Sequence, residues 1–575
     1  MKNLFLILLP LLFSACSNTG ITPESGSFPI AVPATSLTTN GELGHRLQMN
    51  FNRMEEAKYR PDSVFLTNEE SHWWPGDTEG RTVLALTHLA QSTGRSSRFL
   101  EEILEDFPAH LNRKGYFGDI HPDGVLDEQQ LSSHGWVLRG LCEYYDWKGD
   151  EKVLGMIQGM VDSLVVPTAG FHRNYPIDPE AREKGKGSFI GSRDFKMLNN
   201  WILSTDIGCD FIFMDGVIHA FAVTGDEDLK PVIEEMIAVF LSIDLVEIKA
   251  QTHATLTGIR ALLRYFALTG REELLEAAVE RFELYKKQGM TENYENYNWF
   301  GRPTHTEPCA IHDSYMAAKQ LWQFSGKGQY LEDAEQIYYN GIGATQRSNG
   351  GFGCNSCSGA GDHFLGMRIY EAHWCCTMRG GEGLSYAART AFYTHGSTIY
   401  LSSYGTRSLE LSDGKGTLIL KQFSNYPFGE RMVLEVEENS LSGDPEVMIF
   451  APSYLEDYHL TVNGGEMETE ISGSFIRLGG LRRGDRVELS FSMKKGLKKA
   501  MNPNSLEGTH TLRYGPLVLT GDDVHSSQAL QLEGDVEIEY LEGTSFLVNG
   551  IPFTSAWHLM EKRMDDPELS RQIMF

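Results

Sequence analysis

The residues best able to do chemistry lie between Glu292 and Cys376, where acids and thiols crowd together. Glu307 and Cys309, two residues apart, are a hard and a soft anionic ligand that a turn or an extended segment could aim at one ion. The adjacent Cys375 and Cys376 add two more thiolates, so that Glu307, Cys309, Cys375 and Cys376 form a Cys₃Glu set suited to four-coordinate zinc. Neighbouring cysteines rarely join to each other, because the small ring strains the disulfide. A competing set is Cys354, Cys357, Cys375 and Cys376, which leaves Cys309 out, and a Cys354–Cys357 disulfide is a further alternative. Cys142 and Cys209 lie in apolar helical stretches and read as small buried hydrophobes.

Several other residues suit a sugar site. Glu292 and Glu295, in Thr291-Glu292-Asn293-Tyr294-Glu295, stand out as acids in the segment that runs on to Glu307-Pro308-Cys309. Trp73-Trp74-Pro75-Gly76-Asp77-Thr78-Glu79 sets aromatic faces beside carboxylates, so Trp74, Asp77 and Glu79 are candidate sugar contacts, with a capped helix over a core tryptophan as the plainer reading. His253, heading a helix, and His134, in Ser133-His134-Gly135-Trp136, could bind substrate hydroxyls or serve as satisfied structural histidines.

These segments resemble glycoside hydrolase family 127, the zinc-dependent β-L-arabinofuranosidases. Thr291-Glu292-Asn293-Tyr294 is similar to the family's acid segment, Glu307-Pro308-Cys309 to its Glu-x-Cys and Cys375-Cys376 to its cysteine pair. Gln251-Thr252-His253 is similar to a substrate-binding segment, and Asn425-Tyr426-Pro427-Phe428, Val462-Asn463-Gly464 and Arg513-Tyr514-Gly515-Pro516 to motifs of the later domains. The resemblance implies an (α/α)₆ barrel followed by β-sandwiches, and retaining hydrolysis with a cysteine nucleophile. It assigns Cys375 as nucleophile and zinc ligand, Cys376, Cys309 and Glu307 as the other ligands, and Glu292 as acid/base with Glu295 as rival. The chain departs from the family pattern in the Thr377-Met378-Arg379-Gly380-Gly381 segment after the cysteine pair, and in a Glu292 to Glu307 interval one residue shorter.

The elements that must position these side chains change character along the chain. Residues 43–395 read as helical, with a recurring motif in which an apolar run ends in glycine and an amphipathic run follows: Gly94, Gly149, Gly225, Gly270 and Gly326. Glycine after the last periodic residue is a helix C-cap. The irregular spacing suits a closed ring of helical hairpins better than a solenoid. From 396 to 575 short alternating segments such as Thr398-Ile399-Tyr400-Leu401 and Arg486-Val487-Glu488-Leu489-Ser490, with the turn pair Asn463-Gly464, predict one or two β-sandwiches.

A formal charge of −28 excludes a nucleic-acid surface, which needs clustered Lys and Arg. Residues 1–16, with Lys2, an apolar Leu4 to Phe13 run and Ser14-Ala15-Cys16, read as a lipoprotein signal, and 17–42 as a flexible tether. Acylation of Cys16 leaves seven of the eight cysteines, too odd a number for complete pairing. The expectation is an exported enzyme, lipid-anchored to a bacterial membrane at the outer membrane or a periplasmic face. It would release a terminal sugar, β-L-arabinofuranose by default, from an oligosaccharide or polysaccharide. The alternatives are a non-catalytic glycan-binding lipoprotein and an (α/α)-barrel polysaccharide lyase.

Overall fold

The computed structural model describes residues 28–70, 74–185, 193–357, 363–367, 371–468, 470–521, 529–557 and 569–575. The signal at 1–16, the first part of the tether and Trp73 lie outside them.

Twelve helices build the barrel. In chain order they are α1 (Gly41–Met54), α2 (Asp77–Thr93), α3 (Leu100–His110), α4 (Glu128–Lys148), α5 (Glu151–Met160) and α6 (Asp210–Thr224). There follow α7 (Leu229–Ser242), α8 (Thr252–Thr269), α9 (Glu272–Gln288), α10 (Pro308–Ser325), α11 (Gln329–Gln336) and α12 (Cys376–Arg389). The even-numbered helices touch in a closed circle, α2–α4–α6–α8–α10–α12 and back to α2, and the odd-numbered ones pack outside them. This is the expected (α/α)₆ barrel.

Sequence explains both rings. The inner helices are buried almost all round, as in α6, where Asp210 to Phe221 is wholly buried. Outer helices bury one stripe: α9 hides Leu274, Ala278, Phe282 and Tyr285, at i, i+4, i+8 and i+11. The five motif glycines end α2, α4, α6, α8 and α10 with φ between +64° and +69°, a left-handed conformation that glycine adopts without a Cβ clash. Inner-to-outer turns are therefore short. The outer-to-inner connections are long, and they gather at the N-terminal ends of the inner helices. Close approach within the inner ring needs glycine for a different reason. A Cβ on Gly135 of α4 would lie 2.5 Å from the Ile212 carbonyl oxygen of α6, and one on Gly216 of α6 would lie 2.5 Å from the Gly135 oxygen.

The rest is β-structure. A six-stranded and a seven-stranded sheet are built mainly from strands between Phe392–His395 and Arg486–Met493, and the six-stranded order includes a parallel pair, Glu446–Phe450 on Thr398–Leu401. Leu418, Leu434, Val447 and Leu489 from these sheets share one apolar core. Asn463 and Gly464 make the predicted hairpin turn, both at positive φ. An eight-stranded sheet follows from Lys495–Lys499 onward.

Three strand pairings correct the expected organisation. Within the stretch 17–42 expected to be a tether, Ile30–Ala31 pairs with the Phe392–His395 strand and Leu37–Thr39 with Arg407–Ser412. Short runs of β-branched and aliphatic residues there find open sheet edges, so this part of the segment is fixed to the β-domain. The helical region itself takes up a strand: Phe364–Met367, between α11 and α12, pairs with the C-terminal Leu569–Gln572. Among the described residues no helix is long and apolar enough to cross a membrane.

Candidate metal centre and active site

The site forms where inner-helix N-termini converge. Glu307 is the N-cap of α10, and Pro308, lacking an N–H that the first turn could not use, opens that helix. Cys309 follows one residue in. Cys375 is the N-cap of α12 and Cys376 its first residue. Both pairs thus stand at the positive ends of helix dipoles, where anionic ligands are favoured.

The structure brings the four expected ligands together. One donor atom each from Glu307, Cys309, Cys375 and Cys376 lies within 4.8 Å of all the others. The Cys309 and Cys376 sulfurs are 3.5 Å apart and those of Cys375 and Cys376 3.4 Å. Tetrahedral zinc with bonds of ~2.3 Å has sulfurs separated by roughly 3.8 Å, so the cluster fits such an ion with slight expansion. Cys309 and Cys376 are buried, whereas Cys375 and Glu307 are partly exposed, leaving one thiol and one carboxylate facing the opening. Thiols of Cys309 and Cys376 turned toward Cys375 lower its pKa, while burial pushes those of Cys309 and Cys376 up.

The competing ligand set is not assembled. Cys354 and Cys357 are both free thiols and both stand outside the four-residue cluster, Cys357 directing its sulfur to the Asn296 carbonyl at 3.6 Å.

Around the cluster lies a shell of charged groups. His253 bridges Glu307 (Nδ1 to Oε1, 3.5 Å) and Asp313 (Nε2 to Oδ2, 3.1 Å) and stacks on Trp136. Burial works against its protonation, but Glu307, Cys309 and Asp313 outweigh it and raise the pKa to about 9. The imidazolium therefore positions Glu307; at 1% exposure it is closed to substrate, which corrects its reading as a sugar contact. Gln251 Nε2 donates to the second Glu307 oxygen at 3.3 Å. From α2, Arg81 reaches Cys309 (Nη1 to Sγ, 3.7 Å) and is itself held by Asp77 (Nε to Oδ2, 2.8 Å). Deeper in the barrel Asp313 also accepts Arg260 at 2.6 Å and pairs with Arg379, tying α8, α10 and α12 together under the site.

The remaining expected residues separate. Asp77 belongs to the shell as Arg81's partner. Trp74 is half-buried on the loop before α2. Glu79, two residues beyond Asp77 and so on the opposite side of the helix, is fully buried and cannot meet a sugar. His134 is a satisfied structural histidine: the Phe117 N–H donates to Nε2 at 3.0 Å and Nδ1 bonds the Gln130 carbonyl at 2.7 Å. Burial lowers its pKa to about 4 and keeps it neutral. Glu295 is fully buried between the Asn293 and Asn355 amides, at 3.0 and 2.5 Å, which closes it to substrate and removes it as rival acid. Glu292 is partly exposed, and its Oε1 accepts the N–H groups of Met501 and Asn502 at 2.7 and 2.6 Å.

Sequence reasoning missed Asp206 and Trp299. Asp206, on the loop before α6, is 4% exposed and lies near enough to Glu307 and His253 to feel both charges. Burial is the main reason its carboxyl is raised to about 7, and Trp299 Nε1 donates to it at 3.0 Å. An acid beside glycine at a helix entrance, Asp206-Ile207-Gly208, was the available signal, but it is common to many capped helices.

Comparison with known proteins follows the same lines. The family model described as the β-L-arabinofuranosidase GH127 middle domain matches residues 398–493. A solved GH127 β-arabinofuranosidase superposes with a TM-score of 0.68 at 13% identity, covering 96% of this chain and 98% of its own. The chain resembles the GH127 enzymes. A GH127 β-L-arabinofuranosidase from Geobacillus stearothermophilus T6 gives a TM-score of 0.67 at 14% identity, covering 94% of this chain and 99% of its own. At such identities the GH127 likeness is one of fold, from barrel through all the β-sheets. A search of curated proteins found no match.

Proposed function

We propose that the protein is a retaining glycoside hydrolase that releases a terminal sugar, with β-L-arabinofuranose as the first substrate to test, from plant or microbial glycans. The observation that carries this reading is the cluster of three thiols and a carboxylate with Cys375 at its open side. A glycan-binding protein has no need of such a cluster, and a lyase would need none of the thiols.

When bound, zinc supplies the positive charge that keeps the three thiols deprotonated. The protein's own groups then carry the reaction. Cys375 Sγ attacks the anomeric carbon while the glycosidic C–O bond breaks and its oxygen takes a proton from a carboxylic acid. A water then attacks the same carbon as its proton passes back to that carboxylate, and the C–S bond breaks with its electron pair returning to sulfur. Two inversions give net retention. Trp374, half-exposed beside Cys375, offers the sugar an aromatic face. Glu292 is the acid/base that the resemblance nominates, and Asp206 is a second candidate because of its place beside Glu307. Export, acylation of Cys16 and a membrane-surface location complete the proposal.

The test is metal analysis of the purified protein, with turnover of an aryl β-L-arabinofuranoside and a furanoside panel. One zinc per chain is expected, with Cys375→Ala and Cys375→Ser losing about 10³-fold or more in kcat. Wild-type turnover by both variants would end the nucleophile assignment.

A further inference from the structure

A cleft of about 390 Å³ lies between the barrel and the β-sheets, and none of the four thiol-site ligands lines it. Its floor carries three buried charged side chains: Lys319 of α10, Glu335 of α11 and Arg407 at the start of a strand. Lys319 Nζ donates to Ser402 Oγ at 2.6 Å, and Arg407 donates to Ser403 Oγ and the Tyr404 carbonyl. Neither cation forms an ion pair with a described carboxylate, and Arg407 Nε has no described hydrogen-bond partner. Glu335 accepts the Tyr426 and Tyr454 hydroxyls on Oε2, and its Oε1 is without a described partner, as is the hydroxyl of Tyr338. Half-buried Phe428 and Tyr540 and exposed Asn425 line the cleft toward solvent.

Glu335 acts on both cations, so two buried cations share one carboxylate and one positive charge is left over; an uncompensated buried charge is costly, and buried polar atoms without partners add to that cost. A ligand carboxylate would answer Arg407 and Lys319. Ligand hydroxyls would answer Glu335 Oε1 and Tyr338, and the aromatic rings would cover an apolar face. The volume falls in the range of about 300–1,000 Å³ usual for small-molecule sites. We propose that this cleft is a second binding site, distinct from the thiol cluster, for a sugar carboxylate of uronic-acid type. A neutral sugar leaves the excess positive charge unanswered, and a bare carboxylate leaves the hydroxyl partners and aromatic rings empty.

The experiment is calorimetric titration of the full, zinc-loaded chain with D-galacturonate, D-galactose and acetate, repeated on Arg407→Gln, Asn425→Trp and Cys375→Ala. Galacturonate should bind about tenfold or more tightly than either control, and Arg407→Gln should weaken it by a similar factor. Asn425→Trp, which obstructs the mouth from an exposed position, should weaken it without lowering the melting temperature, and it decides the matter if Arg407→Gln does not fold. Binding should persist in Cys375→Ala, whatever that variant does to turnover. Equal binding of galactose or acetate, no loss on Asn425→Trp, or loss on Cys375→Ala would overturn the proposal.

Discussion

At the scale of single residues, the thiol cluster depends on neighbours outside the ligand set. His253 holds one oxygen of Glu307 and Gln251 the other, while Arg81 stands against Cys309. These contacts fix ligand orientation before any ion arrives. The choice of proton donor belongs to this scale as well. Glu292→Gln and Asp206→Asn should be compared on an alkyl and an aryl arabinofuranoside. The true acid/base variant loses about 10²–10⁴-fold on the alkyl substrate and far less on the aryl one, whose leaving group needs no proton. The other variant lacks that split. His134 makes a prediction about pH. Its folded pKa is depressed to about 4 from an unfolded value near 6.5, so the unfolded chain binds more protons between the two. Its contribution is present above pH ~6.5 and is lost as the pH falls toward 4. Urea midpoints measured across that window should fall on acidification, and less steeply in His134→Gln; identical slopes would refute the assignment.

At the scale of elements, glycine does two jobs, and mutation separates them. Gly149 caps α4 at φ +64° with open space around it, so Gly149→Ala should cost about 1 kcal/mol. Gly216→Ala puts a methyl group into the α4 backbone and should cost roughly 2–3 kcal/mol or more, since neither helix can withdraw from a closed ring. Melting temperatures of the two variants check the ordering. This contrast also shows what can be read from sequence. A C-cap is a local event, and the five motif glycines announce it through their own flanking residues. The four candidate ligands were legible as two close pairs of metal-binding residue types, although the turn or extended segment expected at Glu307 and Cys309 is a helix start. The fates of Glu79, Glu295 and His134 were not, because burial depends on which face the packed ring turns inward. Nor was Asp206, whose significance comes only from Glu307, about a hundred residues away in the chain.

At the scale of the whole molecule, the β-domains reach residues of the candidate site. The backbone at Met501 and Asn502 holds the Glu292 carboxylate, and Leu569–Gln572 pairs with the segment that leads toward Cys375. Ile573 and Met574 add N–H bonds to the His363 carbonyl, and Ile573, Met574 and Phe575 are buried. Deleting residues 569–575 should therefore weaken zinc retention about tenfold or more against a chelator, while the helical content stays that of the full chain. Unchanged zinc retention would show that this strand only closes the sheet.

That strand pairing also bears on how the chain folds. Phe364–Met367 meets Leu569–Gln572 across roughly two hundred residues of sequence, and a pairing of such long range pays its loop-closure entropy before any contact rewards it. The barrel helices, held by nearer contacts, can therefore form before the segment leading to Cys375 gains its strand partner.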